Sequence, residues 1–327
     1  MNEKIEYKVL ARKYRPQTFA DLIGQETLVQ IITNAISTNR IANAYLLTGV
    51  RGVGKTTTAR LIAMSLNCEN KKDDSCEPCG SCESCKSIRS DHNLDVIEMD
   101  AASKTGVDDV REIIDNVKYK PVNCKFKIFI IDEVHMLSKS AFNALLKTLE
   151  EPPEHVKFIF ATTEVKKIPV TILSRCQRFD LKRVESKDLT QLLKKISELE
   201  SVKIDEDAIS LLVRAGDGSV RDSLSLLDQA IINNDTTVSA EKVTNMLGLA
   251  DRGKIFDLLE YISKGQASDS LDLFRNLYNS GADIMMIFEE LLNVVHSITQ
   301  IKISPDIQND ISIPELERVK GGEFANQ

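Results

Sequence analysis

Through residue 181, apolar positions come in short runs separated by stretches of helical period, and beyond it the short runs stop. Five runs read as strands: Ala44–Gly49 (AYLLTG), Leu94–Asp100 (LDVIEMD), Phe126–Glu133 (FKIFIIDE), Val156–Thr163 (VKFIFATT) and the shorter Cys176–Leu181 (CQRFDL). Their alternation with helical segments predicts βαβ units around a parallel sheet. Ligands of open parallel sheets bind beyond the carboxyl ends of the strands, and the first four runs end in polar residues, so candidate chemistry belongs there. Between runs, Phe142, Leu145, Leu146 and Leu149 fall at helical spacing, and Pro152 and Pro153 stop that helix. Residues 186–245 read as short helices and 250–300 as longer ones, including GADIMMIFEELLNVVHSITQIK. The last two dozen residues, SPDIQNDISIPELERVKGGEFANQ, are polar and weakly patterned and are expected to fray.

A length of 327 residues with 42% hydrophobic content supports two or three domains. The N-terminal MNEKIEYKVLARKYRP has no apolar core of the kind a signal peptide needs, and no uninterrupted run of 18 apolar residues follows, so a cytoplasmic location with no membrane partner is expected. A net charge of -7 argues against coating nucleic acid by bulk electrostatics, so any DNA contact is local. The basic KVLARKYRP run reads equally well as a solvated face.

GVRGVGKTT (Gly49, Val50, Arg51, Gly52, Val53, Gly54, Lys55, Thr56, Thr57) fits G-x-x-x-x-G-K-[ST], with a strand before it and the helical TTTARLIAMSL after it. Backbone N–H groups of such a loop cradle phosphates, Lys55 reaches the β/γ oxygens, and the Thr56 hydroxyl ligates Mg²⁺. KIFIIDEVH delivers Asp132 to the sheet edge as a second Mg²⁺ ligand, with Glu133 placed to orient or deprotonate an attacking water. Together the two motifs predict an NTPase using Mg²⁺. His135 invites comparison with DExH-box helicases, but those carry a second large sheet domain that the helical second half does not supply, and a structural role is the simpler expectation.

Two further stretches narrow the class. IFATTEVKKIPVTILSRCQRF puts Thr162 at a strand end and Arg175 in a Ser-Arg-Cys triplet, and GDGSVRDSLSLLDQA puts Arg221 in the first turn of a helix, with Ser219 and Asp222 at capping-box spacing. With YKVLARKYRPQTFADLIGQE, YLLTGVRGVGKTTTAR, DVIEMDAASKTGVDDVREI and FIIDEVHMLSKSAFNALLKTLEEPPEHVKFIFATTEVKKIPVTILSRC, these resemble the AAA+ clamp-loader ATPases, and within them the bacterial DNA polymerase III gamma/tau family. The stretches run in family order over most of residues 7–232.

The resemblance implies an AAA+ P-loop parallel-sheet domain over 1–180, an all-helical lid over 181–243 and a helical collar over 244–327 that stops short of completion. It implies that Ala11, Arg15, Pro16 and Ile23 wall the adenine, that Thr162 senses the γ-phosphate, and that Arg221 closes the lid over the phosphates. It further implies that Arg175 acts as an arginine finger on ATP held by a neighbouring subunit. The plainer alternative, disfavoured beside these, is that Arg175 caps a strand and that Arg221 pairs with Asp217 or Asp222. The implied partners are delta-type and delta-prime-type subunits and further copies of the chain in a ring, a sliding clamp, and primed DNA. The implied role is the ATPase motor of the replicative polymerase holoenzyme, with no polymerase site, since one NTPase constellation is present and no second acidic one. A translocating helicase or branch-migration motor is the alternative; a structural ring subunit is disfavoured by the intact Lys55, Thr56, Asp132 and Glu133.

Five of the seven cysteines lie between Cys68 and Cys85, and in a reducing compartment clustered cysteines favour a metal over disulfides. Cys79, Cys82 and Cys85 repeat at x2 spacing, and Cys68 falls at the expected end of the helix after the phosphate loop. Four thiolates suit a closed tetrahedral Zn²⁺ site inserted at 68–85. An iron–sulfur cluster fits less well, because CKSIRSDH supplies no fourth Cys followed by Pro. Cys76 competes with Cys68 for the fourth position, and the resemblance favours Cys68, since clamp loaders carry a zinc module here.

Overall fold

The computed structural model describes residues 7–71, 76–232, 237–247, 252–279, 283–304 and 315–325. The five strand runs form β1 (Ala44–Thr48), β2 (Val96–Asp100), β3 (Lys127–Asp132), β4 (Val156–Thr162) and β5 (Gln177–Asp180). They make one parallel sheet in the order β2-β3-β4-β1-β5.

Alternating side chains of each strand go to opposite faces, and both faces are covered. On one, Tyr45, Leu47, Ile128, Ile130, Ile159 and Ala161 meet Ala59, Ile62, Ala63 and Leu66 of helix Lys55–Asn67. On the other, Leu46, Phe129, Ile131, Phe158 and Phe160 meet helices Val107–Val117 and Lys139–Glu150. Phe158 stacks on Phe129 and on Phe160 with ring centroids 5.5 and 5.9 Å apart. Each such fully buried side chain contributes about 1.5–3 kcal/mol, which fixes the register of the central strands. Helix Lys139–Glu150 starts at Ser138, whose Oγ accepts the Ala141 N–H at 3.2 Å.

The chain divides into two compact units, residues 1–185 with 218–222, and residues 186–217 with 223–327. The first holds the sheet. The second is helical as expected, with one departure: Lys203–Ile204 and Thr237–Val238 pair as a two-stranded parallel ladder. Runs of two residues are too short to register as a periodic signal.

Helix Ile284–Ile303 is long and apolar enough by length and composition to cross a membrane, with a mean hydropathy of 1.2. It also carries Glu290, which is buried and accepts two hydrogen bonds from Arg214 Nη2 at 3.0 and 3.1 Å. Ile287 and Val294 of this helix pack with Phe256 and Leu277 in the core of the helical unit. A buried carboxylate needs such a partner, and this face of the helix packs into the helical unit while Met285, Phe288 and Leu292 on the same helix are exposed. Of the tail expected to fray, 315–325 form a helix, joined to the unit by Lys320 Nζ to Asp257 Oδ1 at 2.7 Å. Residues 305–314, 326 and 327 lie outside the described residues.

Candidate active site and cysteine cluster

The strand order decides which polar ends meet. Because β4 lies between β1 and β3, Thr162 falls between the loop that leaves β1 and the acid pair that ends β3. Thr48 and Thr162 are register partners. After Thr48 the chain turns through Gly49, Gly52 and Gly54 at φ of +148, +78 and +100°, into helix Lys55–Asn67. Glycine is required at the first two by space as well as by backbone. A Cβ on Gly49 would meet the Leu181 carbonyl at 2.7 Å, and one on Gly52 would meet Ser219 Oγ at 1.9 Å.

Lys55 lies buried under this loop, its Nζ donating to the carbonyls of Gly49 and Val50 at 2.9 and 2.8 Å. Burial pushes the Lys55 ammonium below the ordinary lysine range, against the opposing pull of Glu133 and Asp132. The Thr56 hydroxyl donates to Asp132 Oδ2 at 2.5 Å. Val50 and Arg51 are exposed, Val53 is buried in the core, and Thr57 is half-buried.

Glu133 adopts a left-handed backbone, φ +47°, and its Oε2 accepts from the Thr163 amide at 3.3 Å and the Thr163 hydroxyl at 3.1 Å. Thr162 is fully buried, and its Oγ1 lies 3.0 Å from His135 Nδ1 while accepting the Glu164 N–H at 3.0 Å. Thr163, Glu164 and His135 thus belong to the cluster. For the first two, the only sequence signal is that they directly follow Thr162 at a strand end.

Arg221 joins the first unit through its amide, which donates to the Gly52 carbonyl at 3.2 Å, and Ser219 Oγ accepts the Asp222 N–H at 3.2 Å as the capping spacing anticipated. Arg15 is half-buried; burial and the nearby Arg60 and Arg221 push its guanidinium down, with Glu98 opposing, so positive charge is concentrated here. Ala11, Pro16 and Ile23 are half-buried in the same N-terminal stretch. That stretch is tied down by Glu77, which accepts the Phe19 and Ala20 amides at 2.8 and 3.0 Å, and by Gln25, whose Nε2 donates to the Lys182 carbonyl at 2.8 Å. Arg175 lies apart from these groups: its guanidinium engages the Thr171 carbonyl at 2.6 Å and the Glu150 carboxylate.

The sulfurs of Cys68, Cys79, Cys82 and Cys85 all lie within 4.8 Å of one another. Cys76 is elsewhere, buried with its Sγ 2.8 Å from Thr33 Oγ1. Amides point at the clustered sulfurs, from Cys79 to Cys68 and from Cys82 to Cys79 at 3.3 Å, and from Cys85 to Cys82 at 3.4 Å. The amides of Ser81 and Cys82 pull the Cys79 thiol down to about 6, whereas burial pushes Cys68 and Cys85 up. Four soft donors with one thiol already biased to thiolate fit a tetrahedral metal ion.

Three family models match the chain: DNA polymerase III, delta subunit over residues 24–185; DNA polymerase III clamp loader subunit, ATPase lid domain over 188–235; and DNA polymerase III subunits gamma and tau domain III over 238–327. The chain is 46% identical over 313 residues to DNA polymerase III subunit tau of Escherichia coli K12, covering 95% of this chain and 48% of that protein. It is 43% identical to DNA polymerase III subunit gamma of Buchnera aphidicola subsp. Schizaphis graminum, covering 96% of this chain and 86% of the relative. It thus spans about half the length of the tau relatives and most of that gamma. Among solved structures, the Thermotoga maritima RuvB Holliday junction branch migration motor superposes with a TM-score of 0.52 at 18% identity, over 77% of this chain and 80% of that one. At that identity the likeness is of fold alone, a parallel-sheet P-loop fold of the AAA+ class followed by helices. With a phosphate loop and acid pair assembled on that fold and close identity over nearly its whole length, the chain belongs to the DNA polymerase III gamma/tau subunit family.

Proposed function

We propose that the chain is the ATP-hydrolysing motor subunit of a bacterial clamp loader, which opens a sliding clamp and loads it onto primed DNA. The observation that carries this is the bond from the Thr56 hydroxyl to Asp132 beside the buried Lys55, which joins the phosphate loop to the acid pair across the inserted strand β4. Residues 1–180 serve as the ATPase domain, 181–243 as its lid and 244–327 as a collar. The separate family matches over 24–185, 188–235 and 238–327 support that division.

Within it, the backbone of Gly49–Thr57 cradles the phosphates and Lys55 leaves its two carbonyl partners to meet the β/γ oxygens. Thr56 and Asp132 hold Mg²⁺, which when bound neutralises charge on the transferring phosphoryl group. Glu133 turns from Thr163 to orient the attacking water, and Thr162 presents its hydroxyl to the γ-phosphate. Ala11, Arg15, Pro16 and Ile23 wall the base, and Arg221 closes over the phosphates. Arg175 lies away from its own chain's loop, which suits a finger acting on ATP in a neighbouring subunit. Cys68, Cys79, Cys82 and Cys85 hold Zn²⁺ as a closed structural site that staples the insertion at 68–85. The partners are delta-type and delta-prime-type subunits and further copies in a ring, and the location is cytoplasmic.

Steady-state ATP hydrolysis, by the chain alone and then with those subunits, sliding clamp and primed DNA, tests the proposal. Strong stimulation only in the full mixture is expected. Equal turnover with and without the partners would replace the proposal with a self-sufficient motor.

A further inference from the structure

His135 is the residue of the DEVH run that the nucleotide site leaves unused, yet its imidazole is almost fully buried, with 5% exposure. Three acceptors surround it. Nδ1 lies 3.0 Å from Thr162 Oγ1 and 3.4 Å from Glu133 Oε2, and Nε2 lies 3.4 Å from Glu164 Oε1. The ring therefore bridges the residue proposed to sense the γ-phosphate and the residue proposed to position water.

Hydrogen-bond accounting restricts how this cluster is wired. Thr162 Oγ1 accepts the Glu164 amide and keeps one proton to place and one lone pair, so its bond with Nδ1 runs in whichever direction the ring tautomer sets. With Nδ1 bare, the Thr162 O–H donates to it and Nε2–H faces the Glu164 carboxylate. If a phosphate oxygen draws the Thr162 O–H away, Nδ1 is left presenting a lone pair to a hydroxyl oxygen and a carboxylate oxygen. In a buried site such lone-pair contacts without a hydrogen are costly. Moving the ring hydrogen to Nδ1 removes the conflict: one proton leaves Nε2 for solvent, one is taken up at Nδ1, and the net charge is unchanged. Glu164 tolerates the loss, because it is half exposed and bound by Lys167 Nζ at 2.7 Å. The new Nδ1–H then lies within reach of Glu133 Oε2.

We propose that His135 is a positioning residue whose ring tautomer transmits the state of the Thr162 hydroxyl to the Glu133 carboxylate, so that Glu133 is oriented for water only once a phosphate engages Thr162. This rests on the assignment of the cluster to an ATPase centre.

The test uses the full chain labelled with ¹⁵N-histidine. It has four histidines, and His135→Asn identifies the signals of this ring by their loss. A non-hydrolysable ATP analogue with Mg²⁺ is added, and binding is followed independently by displacement of a fluorescent nucleotide. The expected result is that the His135 nitrogens change from the Nε2–H to the Nδ1–H pattern with the ATP analogue but not with ADP. Thr162→Val should abolish the change at analogue concentrations raised until the displacement assay shows the site saturated. In hydrolysis, His135→Ala should lower kcat about tenfold or more with KM within about twofold, and should cost nothing further in a Thr162→Val background. Analogue binding with unchanged ring nitrogens, or losses that multiply in the double variant, would overturn the inference and leave the ATPase assignment standing. Failure of wild type to bind the analogue would overturn that assignment first. The wild-type and Thr162→Val spectra keep the ring in place, so the result does not depend on His135→Ala folding.

Discussion

Gly52→Ala puts a methyl group where the phosphate loop touches the segment that carries Arg221. The added Cβ would lie 1.9 Å from Ser219 Oγ and 3.2 Å from Arg221 Cβ, on a backbone held at φ +78°. A left-handed conformation costs a non-glycine residue about 1–2 kcal/mol. Ser219 Oγ must also swing away, which breaks its bond to the Asp222 amide, and loss of such an N-cap costs about 0.5–2 kcal/mol. The sum is about 1.5–4 kcal/mol, or a fall of roughly 3–16 °C in the Tm of the sheet unit. Thermal melts of Gly52→Ala, Ser219→Ala and the double variant measure it. Because Gly52→Ala already removes the cap, the double variant should lose less than the sum of the singles, by about the cap energy of 0.5–2 kcal/mol. Strict additivity would mean that Ser219 is not displaced and would refute the packing described. Displacing Arg221, whose amide donates to the Gly52 carbonyl, should also weaken nucleotide binding more in Gly52→Ala than in Ser219→Ala.

Cys68→Ser should abolish bound zinc, while Cys76→Ser, altering a thiol held against Thr33, should retain it; loss of zinc only in the latter would reverse the ligand assignment. Arg175→Ala should leave ATP binding unchanged and lower hydrolysis in the assembled complex by about 10³-fold or more, and unchanged turnover in a mixed assembly would remove the finger assignment. Asp95 is buried and accepts the amides of Val122, Asn123 and Cys124 at 2.7, 2.8 and 2.9 Å; burial pushes its carboxyl up, but these bonds outweigh it and hold it below the ordinary range. A depressed folded pKa contributes stability that is present above the unfolded value near about 3.9 and is lost as pH falls through the folded value. Asp95→Asn should therefore cost about 1.5–3 kcal/mol in urea melts at pH 7, with the gap to wild type narrowing in acid, and a constant gap would refute the charge-based account.

The five strands, the helix after the phosphate loop and the ends of the acid-bearing strand were legible in the chain, because apolar runs, glycine spacing and caps are local properties that act within a few residues. So was the helical character of the second half. Locality also sets the limit. Nothing in the spacing shows that β4 inserts between β1 and β3, and that order alone brings Thr162 beside Asp132 and Glu133. Spacing by itself leaves Cys76 competing with Cys68, and only the family resemblance favours Cys68; folding collects Cys68 with three other sulfurs and turns Cys76 to Thr33. For His135 the sequence supports only a structural role beyond a strand; burial sets its two nitrogens against Thr162, Glu133 and Glu164. Sequence by itself determined which groups are available and on which elements they ride; only tertiary structure decided which meet, since contacts between residues tens of positions apart are set by strand order and two-sided packing of the sheet.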